Sequence, residues 1–335
     1  MLEIDGSIGG GSIVRLSLGL SIATGNPFRL ENVRSERPDT GLKHQHLAAV
    51  RASSDLSGAE VEGDELGSGE LYFSPGGELS GEVRVKIPTA GSIGLLLQPL
   101  WIASTASEDV FTVKVDGGAT AGKWAPPVHY LEKVAFPLMD RFGINASTRI
   151  MRHGFYPEGG ALVGAEFSGS DLRPLEIQES GKTETVRGIS VASQHLQDSE
   201  VAERQRKEAR RVLSDHDPSL ELDIETRYVE SKSPGSSIVL WSDDGETLMG
   251  GDSIGEKGKR AEKVGREAAE EILESLESDA PLDRPMSDMA IPFLGLAGGE
   301  IEVLDITDHV ESNIDITEKF VEREIRREGE RLVGE

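Results

Sequence analysis

Apolar and polar residues alternate at two different spacings along this chain, and each change of spacing predicts a new element. Residues 1–5 predict a strand, and Ser12 opens a predicted helix that Gly25 ends. A strand at 28–34, a helix at 42–56 and two or three short strands follow. Together these elements form a βαβαββ unit.

The same order of elements recurs further along the chain. A second copy runs from residue 81 to residue 167, with a helix between Pro127 and Phe142. The C-terminal region predicts a third copy, in which a turn with a short helix is followed by a strand at 300–307 and a helix at 313–329. Similar units in one chain indicate duplication. In this register Ser92 and Ser287 lie at the openings of equivalent helices.

Residues between about 180 and 278 have a different pattern. A highly charged helix lies among strands in the order β-α-β-β-α, and a long helix from Lys257 to Leu276 closes the segment. Turn-forming residues flank it on both sides. The sequence therefore predicts an α/β (α+β) protein with two domains. One comprises 1–180 plus 279–335, and the other is a small inserted α/β domain at 181–278.

Composition excludes several kinds of chemistry. The chain has 335 residues and no cysteine, which rules out disulfides, zinc–thiolate sites and a cysteine nucleophile. It has no apolar run near 18 residues, and its first residues lack the apolar segment of a signal peptide. We expect a soluble, cytoplasmic protein with no membrane partner.

The charge is strongly acidic, with 60 Asp and Glu against 35 Lys and Arg and a net charge of −25. Dispersed carboxylates repel each other in dilute salt. In molar salt the Debye length falls to about 3 Å, so this surface is typical of a halophilic source. An ordinary acidic enzyme is the alternative. The charge argues against non-specific nucleic-acid binding by the bulk surface, but it leaves room for a local basic pocket.

Screening of this repulsion gives a first testable prediction. The melting temperature should rise as KCl is increased from dilute buffer to molar concentrations, because salt weakens the repulsion among the carboxylates. Circular dichroism melts in a KCl series measure it. A melting temperature that does not change across the series would favour the ordinary acidic enzyme.

Two segments of the first unit have residues suited to phosphate. The glycine-rich turn at 6–11 places backbone N–H groups before a helix, and Arg15 follows about one turn later. Most glycine-rich turns are simply tight turns, which is the alternative. Arg34 and Arg37 belong to the densest basic cluster of the chain, and arginine forks match phosphate oxygens. Ion pairs with neighbouring acids, Glu36 and Asp39, are the alternative for these arginines.

Polar residues in apolar or helix-opening contexts add further candidates. Gln98 lies among leucines and needs hydrogen bonds, so it either caps a neighbouring loop or contacts a ligand. Asp288 either contacts a ligand or caps the N-terminus of a helix. Gln45 and His46 open a helix beside the basic cluster. The aromatic segment 152–160 either lines a nucleotide site or is a turn rich in aromatic residues.

His309 lies where the predicted strand at 300–307 ends and before the predicted helix begins. Ligands of α/β proteins usually bind at the rim of a sheet, where such a side chain is exposed. A histidine in this place can act as a base, a metal ligand or a nucleophile. The alternative is a surface histidine in an acidic loop, beside Asp308.

Several motifs occur in an order that resembles a known family. They include VRSERPDTGLKHQHLAAVRA, TAGSIGLLLQ, RHGFYPEGGA, IGEKGKRAEKVG, SDMAIPFLGLAGG and DHVESNI. Together they closely resemble the RNA 3′-terminal phosphate cyclases from residue 2 to about residue 325. The resemblance implies tandem βαβαββ-like repeats forming a large domain, with a small thioredoxin-like α/β domain inserted. It also implies that ATP adenylylates a histidine, and that AMP then activates an RNA 3′-phosphate for closure to a 2′,3′-cyclic phosphate.

The resemblance also implies site residues and partners. It places the nucleophile at His309 and the ATP-binding residues at Gln98, Pro285, Met286, Ser287, Asp288 and Met289. It places phosphate- and RNA-binding residues at Arg15, Arg34, Arg37 and Gln45. The implied cofactors are ATP and Mg²⁺ or Mn²⁺, and the implied partners are RNA 3′-phosphate ends. The oligomeric state and the natural RNA stay open.

One departure from the family pattern affects the metal. The family's N-terminal loop normally has a glutamate that helps to hold a divalent cation, and here Ile8 aligns with it, so the metal ligands stay unknown. A catalytically impaired relative in RNA processing or ribosome assembly is therefore an alternative, which His309 argues against. A small-molecule transferase built on similar repeats is a third hypothesis, which the segment at 181–278 does not fit.

Overall fold

The structure, a computed structural model, describes residues 1–7, 10–169, 171–278 and 280–335. Within these residues the strands form four mixed sheets of four strands each, and helices pack against them. The protein is thus a mixed α/β fold, as predicted. Among the described residues, none of the helices has the length and apolar character that a membrane span requires.

The first sheet belongs to a βαβαββ unit near the N-terminus. Its elements are β1 (Leu2–Asp5), α1 (Gly11–Thr24), β2 (Phe28–Glu31), α2 (His44–Ser57), β3 (Glu60–Glu62) and β4 (Leu71–Ser74). The strand order is β1-β2-β4-β3, in which β1 and β2 are parallel and the other neighbours are antiparallel. Gly25 ends α1 in a left-handed conformation (φ 72°), as predicted.

The second unit repeats this arrangement. Its elements are β5 (Glu82–Ser92), α3 (Ile93–Ala103), β6 (Phe111–Ala119), α4 (Val128–Tyr130) continued by a π-helical turn (Leu131–Ala135) and α5 (Phe136–Asp140), β7 (Asn145–Arg152) and β8 (Leu162–Ser168). The sheet order β5-β6-β8-β7 again combines one parallel pair with two antiparallel pairs. The recurrence therefore holds for strand pairing as well as for element order.

An inserted unit, residues 185–277, follows β9 (Leu175–Ile177). It consists of β10 (Thr185–Ser193), a 3-10 turn (Gln194–Ser199), α6 (Val201–His216), β11 (Glu221–Val229), β12 (Ser236–Asp243), β13 (Leu248–Ile254) and α7 (Ala261–Glu277). The sequence pattern did not predict β13, whose two central glycines give no strand signal. One face of its sheet packs with α6 and α7 in a separate apolar cluster. The domain boundaries and the thioredoxin-like assignment stay predictions.

The third unit resumes after this insertion. Its remaining elements are α8 (Arg284–Met289), α9 (Ile291–Ala297), β14 (Gly299–Glu302), α10 (Asp308–Phe320), β15 (Ile325–Glu328) and β16 (Arg331–Gly334). The sheet order β9-β14-β16-β15 matches that of the other two units. β14 pairs in parallel with β9 and antiparallel with β16, and β16 pairs antiparallel with β15. The predicted helix at 313–329 is wrong at both ends. The helix starts at Asp308, and Ile325 begins a hairpin that turns at Gly329 (φ 73°).

Helix α1 lies at the centre of the repeats and is buried from Ile13 to Ile22. It packs against α2, α3 and α10. Gly19 allows the closest approach, because a Cβ there would lie 2.8 Å from Ile102 Cβ and 2.9 Å from the Pro99 carbonyl. A helix that is apolar on all sides needs burial on all sides. The first, second and third units therefore share one core around α1.

Asp283 connects the inserted unit to the repeats. It caps α8 by accepting the N–H of Met286 (2.9 Å), and it also accepts the Tyr130 hydroxyl (2.5 Å) and the N–H of Gly250 in β13 (2.6 Å). Burial raises the pKa of Asp283 to about 6, although these three hydrogen bonds favour the charged form. The junction is thus a buried carboxylate that holds three separate segments together.

Glu271 lies beside this junction and accepts the backbone N–H of Asp252 (2.6 Å). Burial raises the pKa of Glu271 to about 7, and the negative charges of Asp283 and Glu274 add to the shift. An acid with a higher pKa in the folded than in the unfolded protein holds its proton more tightly when folded. Its contribution to stability is therefore complete below the unfolded value of 4.5 and is lost as the pH rises through about 7.

We expect Glu271→Gln to gain stability relative to the unchanged protein as the pH rises from about 5 to about 8, by on the order of 2 kcal/mol. Glutamine keeps an oxygen that can accept the Asp252 N–H, but it carries no charge at any pH. Thermal melts at constant ionic strength measure the difference. Glu270→Gln, exposed on the same helix, is the matched control. A stability difference that stays constant with pH would contradict the expectation.

Candidate active site at converging helix N-termini

Helices α1 and α3 begin at the same side of the molecule. Arg15, one turn into α1, donates from Nε to Oε1 of Gln98 in α3 (3.0 Å). One turn later, Gly19 packs against Ile102. The contacts advance together along both helices, so α1 and α3 run in the same direction and their N-termini are neighbours.

Helix α10 begins at this side as well. Asn26, just after α1, donates its side-chain N–H to the carbonyl of Phe320, the last residue of α10 (3.1 Å). Helix α1 has 14 residues, α10 has 13, and the two pack along each other. Because their C-terminal ends are together and their lengths match, their first turns are also together.

Helix α2 is the fourth to begin here. The ring of His46 occupies the space that a Cβ at Gly11 would need, and Oε1 of Gln45 accepts the N–H of Ser92 (3.3 Å). Each helix N-terminus carries a partial positive charge of about half a unit from its unpaired N–H groups. Four such ends at one place make a site suited to anions such as phosphate.

Arg15 supplies a buried cation at this place. Its guanidinium contacts Gln98 and donates from Nη1 to the Gly11 carbonyl (3.0 Å), which fixes its orientation. Burial lowers the pKa of Arg15 to about 10, so it stays charged at neutral pH. Gln98 orients Arg15 in the structure and does not cap a loop, and its predicted contact with a ligand stays a prediction.

Arg34 and Arg37 lie on the loop after β2. Arg34 has a left-handed backbone (φ 57°) and contacts the backbone carbonyl of Asp39 (3.3 Å), and its buried Nε has no hydrogen-bond partner within the described residues. Arg37 lies 3.6 Å from the position of a Cβ on Gly10. In the described part of the chain neither arginine forms an ion pair within 4.0 Å. The alternative of ion pairs with Glu36 and Asp39 is therefore wrong.

His46 is neutral in this environment. Burial lowers its pKa to about 3, and the positive charges of Arg15, Arg34 and Lys43 add to the shift. Its Nδ1 accepts the N–H of Lys43 (3.2 Å), so the proton is on Nε2, beside Gly11. The sequence marked His46 only as a cleft residue or a half-buried one, and it is buried.

Asp288 and His309 form a second group on neighbouring elements. Asp288 lies in the last turn of α8, and its carboxylate is 3.5 Å from the hydroxyl of Thr307, the N-cap residue of α10. Burial raises the pKa of Asp288 to about 6, and the nearby positive charges of His309 and Arg284 oppose that shift. Asp283, and not Asp288, is the N-cap of α8, so the capping alternative for Asp288 is wrong.

His309 is exposed in the first turn of α10. The sequence placed it between a strand and a helix, and it belongs to the helix itself. Thr307 was missed, although threonine before a helix is a common N-cap type. Of the other predicted ATP-binding residues, Pro285 is half-exposed, whereas Met286, Ser287 and Met289 are buried. Ile8 lies outside the described residues.

The aromatic segment 152–160 forms a turn that contacts the inserted unit. Its Glu158 N–H donates to the Ser233 hydroxyl (3.1 Å), and Phe155 fills the space that a Cβ on Gly235 would need. His153 is buried against Thr120 (3.2 Å), and burial lowers its pKa to about 4. The turn thus joins the second unit to the inserted unit.

Comparisons with known proteins identify the family of this chain. A family model described as RNA 3′-terminal phosphate cyclase matches residues 7–326. The RNA 3′-terminal phosphate cyclase of Methanothermobacter thermautotrophicus is 44% identical over 99% of this chain and 97% of its own length. Those of Methanopyrus kandleri (43%, over 98% and 97%) and Thermococcus kodakarensis (42%, over 98% and 95%) are similar.

A solved structure of the enolpyruvyl transferase NikO from Streptomyces tendae aligns with 100% of this chain and 82% of its own, at a TM-score of 0.28 and 10% identity, which is too low to carry an argument. The fold and the site define a mixed α/β protein of repeated units, in which four helix N-termini converge at a place suited to anions. By the family model and the archaeal relatives, this chain belongs to the RNA 3′-terminal phosphate cyclase family.

Proposed function

We propose that this protein converts an RNA 3′-phosphate to a 2′,3′-cyclic phosphate in an ATP-dependent reaction, with His309 as the nucleophile. The observation that carries the proposal is the exposed His309 at the N-terminus of α10, next to three other helix N-termini and to arginines that form no ion pair with any described residue. Membership of the family supports the activity. An exposed histidine in this place favours an active enzyme over a catalytically impaired relative.

In the first step, a ring nitrogen of His309 attacks the α-phosphorus of ATP. A P–N bond forms, the bond from the α-phosphorus to the bridging oxygen breaks, and pyrophosphate leaves with the electron pair. The imidazole loses its N–H proton to solvent, which the exposed position of His309 allows. The product is a protein–AMP phosphoramidate.

In the second step, an oxygen of the RNA 3′-phosphate attacks the same phosphorus and displaces the histidine. The resulting RNA-(3′)pp(5′)A has an activated 3′-phosphate. The vicinal 2′-hydroxyl then attacks this phosphate, loses its proton, and expels AMP to give the 2′,3′-cyclic phosphate. Each step brings oxyanions into one place, where fixed positive charge lowers the barrier.

Arg15, Arg34 and Arg37 bind these phosphates in the proposal. A guanidinium fork matches two phosphate oxygens, and the Nε of Arg34 already lacks a partner among the described residues. Gln98 orients Arg15, and Gln45 holds the start of α3 in place. These roles make Gln98 and Gln45 positioning residues for the phosphate site.

The nucleotide is bound along α8 in the proposal. Pro285 and Asp288 are the half-exposed residues there, and the carboxylate of Asp288 contacts Thr307, two residues before His309. Met286, Ser287 and Met289 hold this turn: Ser287 donates to the Asp283 carbonyl (2.8 Å) and accepts the N–H of Leu304 (3.1 Å). These three buried residues therefore hold the half-exposed Pro285 and Asp288 in position.

The metal, Mg²⁺ or Mn²⁺, stays a prediction from the resemblance. In the described residues, no three His, Asp or Glu side chains come together as a cation site. The donor set therefore does not fit a metal held by the protein alone, and no step above depends on one.

Incubation with α-labelled ATP and a divalent cation tests the proposal. We expect one AMP bound covalently, and loss of that AMP when an RNA with a 3′-phosphate is added, together with a 2′,3′-cyclic end on the RNA. Intact-protein mass measurement and RNA end analysis follow both changes. Absence of protein–AMP under all conditions would contradict the proposal and favour the impaired relative.

A further inference from the structure

A solvent-exposed tryptophan stands next to the proposed site and has no part in the reaction described above. Trp124 is 94% exposed, the highest value among the large hydrophobic side chains of the described residues. Its backbone is left-handed (φ 59°), a conformation that non-glycine residues adopt only at a cost in free energy. An aromatic side chain that is held exposed by a strained backbone is a candidate for a function in binding.

The loop that carries Trp124 lies over the start of α3. Gly122 and Ala125 pair across a tight turn, with Trp124 at its tip. A Cβ on Gly122 would lie 3.9 Å from Ser92 Cβ, and a Cβ on Gly94 would lie 2.8 Å from the Pro126 carbonyl. Ser92 is the N-cap of α3, so the loop stands at the edge where the four helices begin.

A second exposed aromatic stands on the adjacent turn. Tyr156 is 78% exposed. Its turn is tied to the Trp124 loop, because the Thr120 N–H donates to the Gly154 carbonyl (2.9 Å) and the Thr120 hydroxyl contacts His153 (3.2 Å). The two aromatic side chains therefore extend from neighbouring loops whose bases are fixed to each other.

Contacts around the tip hold Trp124 in place. The Lys123 ammonium lies 5.9 Å from the centroid of the indole, and it forms an ion pair with Glu256 of the inserted unit (2.6 Å). The cation lies over one face of the ring. The rest of the ring is exposed to solvent and can accept another flat group.

We propose that Trp124 and Tyr156 form a stacking platform for the bases at the 3′ end of the substrate RNA. This inference rests on the proposed function, which brings an RNA 3′-phosphate to the helix N-termini. The Trp124 loop lies at the start of α3, beside the helix N-termini where the 3′-phosphate would bind, so the platform serves the terminal nucleotides.

The charge of the protein supports this kind of contact. Most nucleic-acid affinity normally comes from cations that neutralise phosphates, and this chain has a net charge of −25. Outside the local arginines the surface repels RNA. Stacking on aromatic rings needs no net charge and tolerates any base, so it suits RNA binding by an acidic protein.

The first experiment compares RNA binding by Trp124→Ala, Trp124→Phe, Tyr156→Ala and the unchanged protein. The probe is a short 5′-fluorescein RNA with a 3′-phosphate, and the readout is anisotropy. We expect Trp124→Ala to weaken binding by about 5- to 150-fold, the range for one lost base stack. Trp124→Phe should retain most of the RNA affinity of the unchanged protein. Val110→Ala, exposed just before β6 at the opposite end of that strand, should bind like the unchanged protein.

The second experiment removes the base instead of the tryptophan. RNAs with an abasic site at each of the last three positions are bound by the unchanged protein and by Trp124→Ala. If Trp124 stacks on a base, one of these RNAs should bind both proteins equally. If Trp124→Ala bound all three abasic RNAs more weakly than the unchanged protein by the same factor, the proposal would be overturned. Binding of the intact RNA by Trp124→Ala within twofold of the unchanged protein would also overturn it.

Protein–AMP formation without RNA separates this inference from the proposed function. We expect Trp124→Ala to form protein–AMP at the same rate as the unchanged protein. If Trp124→Ala lost protein–AMP formation as well as RNA binding, Trp124 would contact ATP, and the proposed platform would be overturned. Absence of protein–AMP in the unchanged protein would overturn the proposed function, whereas the RNA-binding comparison would still stand. Failure of the unchanged protein to bind the RNA would overturn the platform itself.

Discussion

His309→Ala is expected to abolish protein–AMP formation and RNA cyclisation together, with a loss of at least about 10³-fold in rate, because it removes the group that attacks ATP. The two activities should fall by the same factor, since every turnover in the proposal passes through the histidine–AMP adduct. His309→Asn should behave in the same way. Asparagine is polar and of similar size, but its amide nitrogen has no free lone pair for attack.

The fold should survive both changes. His309 is exposed in the first turn of α10, and the N-cap contact of that helix is made by Thr307 to the N–H of Val310 (3.1 Å). Substitutions at exposed positions usually change stability by less than about 0.5 kcal/mol. The melting temperature should therefore stay close to that of the unchanged protein.

The adduct itself gives a chemical check. A P–N bond to histidine should be labile in acid and stable in base, which distinguishes it from a phosphate ester of serine or threonine. His195→Ala, an exposed histidine of the inserted unit, is the matched control and should label normally. Strong AMP labelling of His309→Ala would overturn the assignment, and peptide mapping would then identify the true nucleophile.

Replacement of Arg34 or Arg37 by lysine is expected to reduce cyclisation by about 10- to 100-fold, the loss expected for one charge-assisted hydrogen bond. Lysine keeps the positive charge but cannot present two parallel N–H groups to a phosphate. Neither arginine forms an ion pair among the described residues, so their removal breaks no structural contact of that kind. Activity should therefore fall much more than stability.

Steady-state assays with ATP and RNA varied separately show which phosphate each arginine holds. Arg51→Lys is the matched control, because Arg51 lies on α2 with an exposed side chain that pairs with Asp64 (3.8 Å). Its turnover should match that of the unchanged protein. Near-normal turnover in both Arg34→Lys and Arg37→Lys would leave these two arginines as surface residues without a part in catalysis.

The order of elements could be predicted from the sequence because their signals are local. Apolar periodicity and turn residues marked the repeated units, and the structure gives each unit the same sheet order. The errors also have local causes. Val321 and Ile325 continue a helical spacing, but the chain leaves the helix at Phe320 and forms the hairpin of β15 and β16. Strand β13 was missed because Gly250 and Gly251 interrupt its apolar pattern.

The candidate site could be predicted only in part. Residue type alone indicated the arginines, and the motifs indicated His309. Which of these groups lie together depends on contacts between residues far apart in sequence. Gln98 is the example: its burial among leucines required a hydrogen-bond partner, but only packing of α1 against α3 made that partner Arg15.

The sequence by itself determined the class of fold, the acidic surface, the absence of cysteine chemistry and the family, since composition, periodicity and motifs are properties of the chain. Only the tertiary structure decided that four helices begin at one place, that Asp283 and not Asp288 caps α8, and that Trp124 stands exposed beside the site. The physical reason is that burial, charge proximity and hydrogen bonding depend on which distant segments pack together, and local sequence does not encode that pairing.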